Sequence, residues 1–339
     1  MARLLLVSLI VWLAGSMTSW AAFSPREVAV IANANDPLSM VLARHYVDAR
    51  GIPPTQLIEV RLPPDQPRVN ADRLTRIRAR VLQKTPAHVQ AYVLAWMRPY
   101  RVKCMSMTTA FAAGFDEQWC AKPCARTRLS DYFDSSSAKP WQDHGVRPAM
   151  LLAARDESEG RALIARGLAA DGTRPSGTGY LVQTSDRHRN VRAVAFPALV
   201  QRWSGRLRLR HERTDALRDR DDVLFYFTGA KEVVALRSNR FLPGAVADHL
   251  TSSGGRLDDS PQMSALRWLE AGATASYGTV AEPCAYREKF PDPTVLLSHY
   301  YAGDSVIEAY WKSVAMPGQG LFIGEPLARP FTSAGEQRR

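Results

Sequence analysis

The stretch FLPGAVADHLTSSGG, residues 241 to 255, sets an acid, an imidazole and three hydroxyls side by side ahead of two glycines. Asp248, His249, Thr251, Ser252 and Ser253 are residue types that acid–base and nucleophilic catalysis employ. His249 would serve as base or hydrogen-bond donor, and Ser252 completes the candidate catalytic set with Glu282 from ATASYGTVAEPC. That glutamate would orient the imidazole or hold a cation. Cys284, two residues further on, offers a different chemistry: a thiolate–imidazolium pair with His249, as in a thiol peptidase.

Polar residues also follow other apolar runs. Asn33 and Asn35 follow VAVIA, Thr228 follows VLFYF, Thr251 follows AVADHL, and Glu325 follows GLFIG. These five are the expected ligand-binding residues. Each has a plainer reading: a turn, a cap, a strand-closing loop, or, for His249, an ordinary hydrogen-bonded core histidine. Asp248 and His249 are neighbours in a strand-like run, so they face opposite sides and only one can serve a given site. We assign that role to His249. The nucleophile elbow, the phosphate loop, the zinc-protease helix and the serine–lysine motif are all missing, and nothing in the spacing asks for a cofactor.

The elements that must position these residues read as an alternation of strands and helices. Val28 to Ala32 has strand length and composition. Asp36 then caps a helix with Pro37 at its first position, Gly51 ends it, and Leu57 to Leu62 is the next strand. Further helices near 71–82 and 158–170, a short one at QMSALRWLEAG and two between 293 and 315 alternate with strands at 89–96, 179–185, DDVLFYFTG, AVADHLTS, ATASYGTV and GLFIGEPL. This pattern predicts a three-layer α/β sandwich around a mostly parallel sheet, of Rossmann-like or caspase-like kind. In such sheets ligands bind beyond the carboxyl ends of the strands, so the polar residues above should converge on one crevice. Residues 22–331 form the expected single domain, with an irregular insertion over 98–147 and a frayed tail over 332–339.

Compartment follows from the ends of the chain and its sulfurs. Arg3, an apolar run and Ser19-Trp20-Ala21 read as an export leader cut after Ala21, with a periplasmic or secreted mature protein. No later run is long enough to span a bilayer. Cys104, Cys120, Cys124 and Cys284 make an even set, as expected for disulfides in an oxidising compartment. CAKPC could close on itself or reach outward. A zinc site from the first three cysteines and His144 lacks a second close pair.

The formal charge of +11 is spread along the chain. Arg206, Arg208 and Arg210 alternate with Leu207 and Leu209, which predicts an edge strand with one basic face. That face could meet an anionic envelope partner. No nucleic-acid module is recognisable.

Taken with their order, ANANDPLSMVLARHYVDARGIP, GAVADHLTSSGG, GATASYGTVAEP and GQGLFIGEPLARPF resemble an uncharacterised family of exported bacterial proteins over nearly all the mature chain. A remoter resemblance is to the caspase/gingipain-like cysteine peptidases. That resemblance implies a strand ending in a catalytic histidine and a later one ending in a catalytic cysteine. Here VLFYFTGA ends in Thr228-Gly229-Ala230 and AVADHLTSS ends in Thr251 and serines, so the dyad is missing. Three functions follow as expectations: a crevice that binds or hydrolyses an envelope-associated or small-molecule ligand, a thiol peptidase using Cys284, and a binding or scaffold module with a basic face.

Overall fold

The computed structural model describes residues 22–120, 124–282 and 284–332. The expected leader and all of the expected tail except Thr332 lie outside the described residues. Thr332 itself is buried and its hydroxyl donates to the Arg329 carbonyl.

The opening unit forms for local reasons. β1 (Val28–Asn33) is apolar and buried along its whole length. Asp36 Oδ1 accepts from the Leu38 amide at 3.0 Å, satisfying a free donor of α1 (Pro37–Arg50), and Gly51 closes the helix at φ 63°. β2 (Leu57–Val60) follows, and α2 (Ala71–Lys84), capped by Asn70, leads to β3 (Ala91–Leu94).

The insertion is more regular than its sequence suggests. It contains a hairpin of β4 (Arg101–Val102) and β5 (Met105–Ser106), then α3 (Met107–Ala113) and α4 (Pro140–His144). Its order comes from tertiary partners: Thr108 and Thr109 donate to the carbonyls of Gly320 and Pro317, and the Ser130 amide donates to the Ala315 carbonyl. Cys104 pairs with Cys120 and Cys124 with Cys284, each with Cα atoms 5.5 Å apart. CAKPC therefore reaches outward in two directions, and no thiolate set is left for zinc.

β6 (Ala149–Leu151), α5 (Glu157–Ala170), β7 (Thr178–Gln183), α6 (Phe196–Arg202) and β8 (Arg208–Arg213) come next. β9 (Val223–Gly229), β10 (Phe241–Leu250), α7 (Leu266–Glu270) and β11 (Ala275–Thr279) lead to α8 (Pro293–Ala302), α9 (Val306–Lys312) and β12 (Gly320–Gly324). Ten of these strands form one sheet in the order β2-β1-β3-β6-β12-β11-β10-β9-β7-β8. The sheet is mostly parallel, with β12 antiparallel to β11 and joined to β6 through Ile323 and Leu151. Helices on both faces make the three-layer α/β sandwich. Leu42 of α1 lies against Gly160 of α5, and Arg166 of α5 donates to the Leu269 carbonyl of α7, which groups these three. Across the sheet, Arg78 of α2 donates to the Phe111 carbonyl of α3.

Shared edges decide which residues can meet. Arg98 and Tyr100, just past β3, bond Asp258 and Asp259, just past β10. The carboxyl ends of both halves of the sheet therefore share one edge. β12 starts there, where the Gly320 carbonyl accepts from Thr108 Oγ1 at 3.0 Å, and ends at the opposite edge.

Candidate functional site

β9, β10 and β11 lie side by side and in parallel, and they bring Thr228, Thr251 and Thr279 to the carboxyl edge. As strand alternation requires, Asp248 and His249 point to opposite faces. Asp248 pairs with Arg192 Nη2 at 2.6 Å, both groups buried. Burial holds the Asp248 carboxyl above its usual range, and the nearby Arg192 opposes that shift.

His249 is 1 % exposed. Its Nδ1 accepts from Trp268 Nε1 at 2.9 Å, and since an indole N–H only donates, the proton sits on Nε2, which donates to the Met263 carbonyl at 3.1 Å. Burial pushes its pKa down to about 3, with Arg192 and Arg189 opposing any positive charge. The imidazole is neutral, saturated and sealed from solvent. The expectation of His249 as general base is thereby corrected, because a base needs a free lone pair within reach of the proton it takes.

Glu282 is equally committed. Its Oε2 accepts from the amides of Cys284 at 2.9 Å and Ala285 at 2.5 Å, and its Oε1 accepts from Lys289 Nζ at 3.2 Å. Lys289 is fully buried and also donates to the Ala125 carbonyl. This carboxylate holds the loop carrying Cys284 and faces no histidine. Cys284 is itself bound to Cys124, so the thiolate nucleophile is corrected as well.

The structure does bring Ser252 to Glu282, through the backbone: the Glu282 amide donates to the Ser252 carbonyl at 2.8 Å. Thr251 Oγ1 donates to Gln262 Oε1 at 2.8 Å and accepts from Arg189 Nε at 3.2 Å. Gln262 also accepts from the amide and hydroxyl of Ser253. Its segment, Ser260 to Ser264, borders an open hollow of about 420 Å³ with Glu232 and Arg267. Thr228 is buried, and its carbonyl accepts from Arg192. Neither Gln262 nor Arg192 stood out in the sequence, because their partners are distant in the chain or sit in a loop with no periodicity.

The other expected ligand residues lie apart. Asn33 Oδ1 accepts from the Leu62 amide at 2.9 Å and the Asn35 amide at 3.3 Å, and Asn35 Nδ2 donates to the Leu62 carbonyl. Both asparagines fasten the exit of β2. Glu325 sits at the opposite edge from all of these, where it forms a two-bond pair with Arg50 at 2.7 and 2.6 Å. The single shared crevice is corrected: β12 runs against β11 and so carries Glu325 away from the carboxyl edge.

A different concavity is less committed. A groove of about 300 Å³ runs between β2 and α2, lined by Ile58, Glu59 and Val60 from the strand, by Arg61 just past it, and by Ile77, Arg80, Val81 and Lys84 from the helix. α2 builds one wall from its own periodicity: Leu74 and Val81 face inward, and Arg73, Arg76, Arg80 and Lys84 are exposed. Three consecutive strand residues, Ile58 to Val60, cannot all point to one face, so the groove follows the open edge of β2. The Val60 carbonyl bonds the Ala34 amide, so the neighbouring residue Glu59 turns its N–H and C=O outward to that edge.

No family model, curated protein or solved structure matched this chain.

Proposed function

We propose that the protein is a binding module of the cell envelope, whose site is the groove between β2 and α2 and whose ligand is an acidic, extended peptide segment. Export is supported by the leader-like first 21 residues and by two disulfides, which persist in oxidising compartments. Two of the residues first considered for catalysis, His249 and Glu282, spend their side-chain donors and acceptors on holding loops and strands together. The observation that carries the reading is the open edge of β2 with its basic rim. An extended segment adds to such an edge through main-chain hydrogen bonds, and flanking pockets select its side chains. Ile77, half-buried on the helix wall, offers apolar contact above the buried Ile58 and Val81, while Arg61, Arg80 and Lys84 outnumber the single Glu59. A second copy of the same edge would oppose like charges, which disfavours self-pairing.

The test is fluorescence anisotropy with two labelled peptides, one alternating glutamate and valine and the other alternating lysine and valine. The acidic peptide is expected to bind, with affinity falling as salt rises. Arg80→Glu should weaken it by about tenfold. Equal binding of the two peptides, or no change in Arg80→Glu, overturns the proposal.

A further inference from the structure

The chain is packed from the first residue described. Ala22 is 8 % exposed and Phe23 only 2 %. The Phe23 amide donates to Glu308 Oε2 at 3.1 Å. Glu308 is the third residue of α9 and is fully buried, and the same oxygen accepts from the Ser305 amide at 3.0 Å and the Ser305 hydroxyl at 2.5 Å. Its other oxygen, Oε1, is buried and has no hydrogen-bond partner among the described residues. A buried carboxylate oxygen left in that condition is costly.

The surroundings add to the imbalance. Asp304 is buried nearby; it accepts from Lys312 Nζ at 2.8 Å and contacts His299 Nδ1 at 2.9 Å. His299 Nε2 reaches Asp134 at 3.1 Å. Lys312 bonds Asp304 directly and acts electrostatically on Glu308. Burial, and then Asp304, push the Glu308 carboxyl up to about 7.

We propose that cleavage after Ala21 creates an α-ammonium on Ala22 that docks against Glu308 Oε1, so that removing the leader completes the fold. The inference rests on the export reading. A leader peptidase adds water across the Ala21–Ala22 amide: the C–N bond breaks, Ala21 leaves with a carboxylate, and the Ala22 nitrogen takes up protons. An α-amine is largely protonated at neutral pH. The Ala22 nitrogen is one residue before the Phe23 nitrogen, about 3.8 Å at most, so the new charge arises beside the carboxylate that already holds Phe23. In the uncut precursor the same nitrogen is a neutral amide, Glu308 lacks this cation, and the folded state is less favoured. The device keeps the chain less tightly folded until export has occurred.

The test uses the full mature chain, released from a fusion so that it begins at Ala22, and a second chain with one extra glycine ahead of Ala22. The extra residue moves the ammonium away and should lower the melting temperature by about 2–4 °C, the scale of one such interaction in a chain of this size. In Glu308→Gln the two chains should melt together. Equal melting in the natural background, or a difference that survives Glu308→Gln, overturns the docking. Should Glu308→Gln fail to fold, the native α-amine is tested with an amine acylating reagent. It should react about tenfold more slowly than in the unfolded chain, as expected for an amine whose pKa an ion pair raises by about one unit, and equal rates overturn the docking. The intact mass of the exported protein judges the export reading separately: a start other than Ala22 overturns the cleavage site while the melting comparison still decides the dock.

Discussion

A histidine serves as a base only when one ring nitrogen keeps a lone pair facing its substrate. His249 has spent both nitrogens, on Trp268 and on the Met263 carbonyl, and the cost of charging it shows in pH dependence. The unfolded chain binds a proton near pH 6.5, while the folded chain resists until about pH 3. Below pH 6.5 the unfolded state therefore takes up more protons, and stability from this residue, full above that pH, falls with pH until about 3. Between pH 7 and pH 5 the loss is about 2 kcal/mol. His249→Gln can keep both hydrogen bonds and has nothing to protonate. Urea unfolding at the two pH values should show the natural protein losing about that much more than the variant. Equal losses would show that His249 is not sealed as described. Glu308 works in the opposite direction, since its folded pKa lies above its ordinary value, so only the difference between variant and natural protein isolates the histidine.

At the scale of elements, the amphipathic helix and the edge strand are what make the groove for which peptide docking is proposed. β8, the other edge, behaves as its sequence predicts: Leu209 is buried while Arg208 and Arg210 are exposed. Arginines on an edge also deter unwanted pairing, and a proline separates that role from docking. Glu59→Pro removes an outward N–H and leaves the β1 ladder intact. It should abolish binding of the acidic peptide and change stability by less than about 1 kcal/mol. Val60→Pro, aimed at the ladder itself, should cost about 1–3 kcal/mol, the penalty for a buried ladder bond left unmade. Peptide binding that survives Glu59→Pro would exclude strand addition at this edge. Most of α1, α2 and α5 was legible in the sequence because caps and periodicity act locally. β6, α3 and α6 were not: β6 is three residues long, and the two helices are seven residues each, stabilised by what they pack against.

For the molecule as a whole, the two disulfides differ in what they close. Cys104–Cys120 spans 16 residues and Cys124–Cys284 spans 160. The longer link ties the insertion to the connection after β11, so its loss frees far more of the unfolded chain. On loop-closure entropy the short link contributes about 3 kcal/mol and the long one about 5. Thermal melts of the two paired cysteine-to-alanine variants should therefore rank the loss of Cys124–Cys284 as the more damaging. The reverse order would mean that native packing, and not chain closure, sets their worth.

The sequence by itself determined the alternation of strands and helices, the sandwich class, the caps of α1 and the opposed facing of Asp248 and His249, because each depends on residues within a few positions of one another. It also marked the cysteines as disulfide-forming. Tertiary structure alone decided which cysteines pair, that β12 runs against β11 and carries Glu325 to the far edge, and that His249 and Glu282 are consumed by Trp268, Met263, Lys289 and the Cys284 loop. The physical reason is that a polar side chain's role depends on who occupies its lone pairs and protons. In a ten-stranded sheet those partners arrive from any distance along the chain.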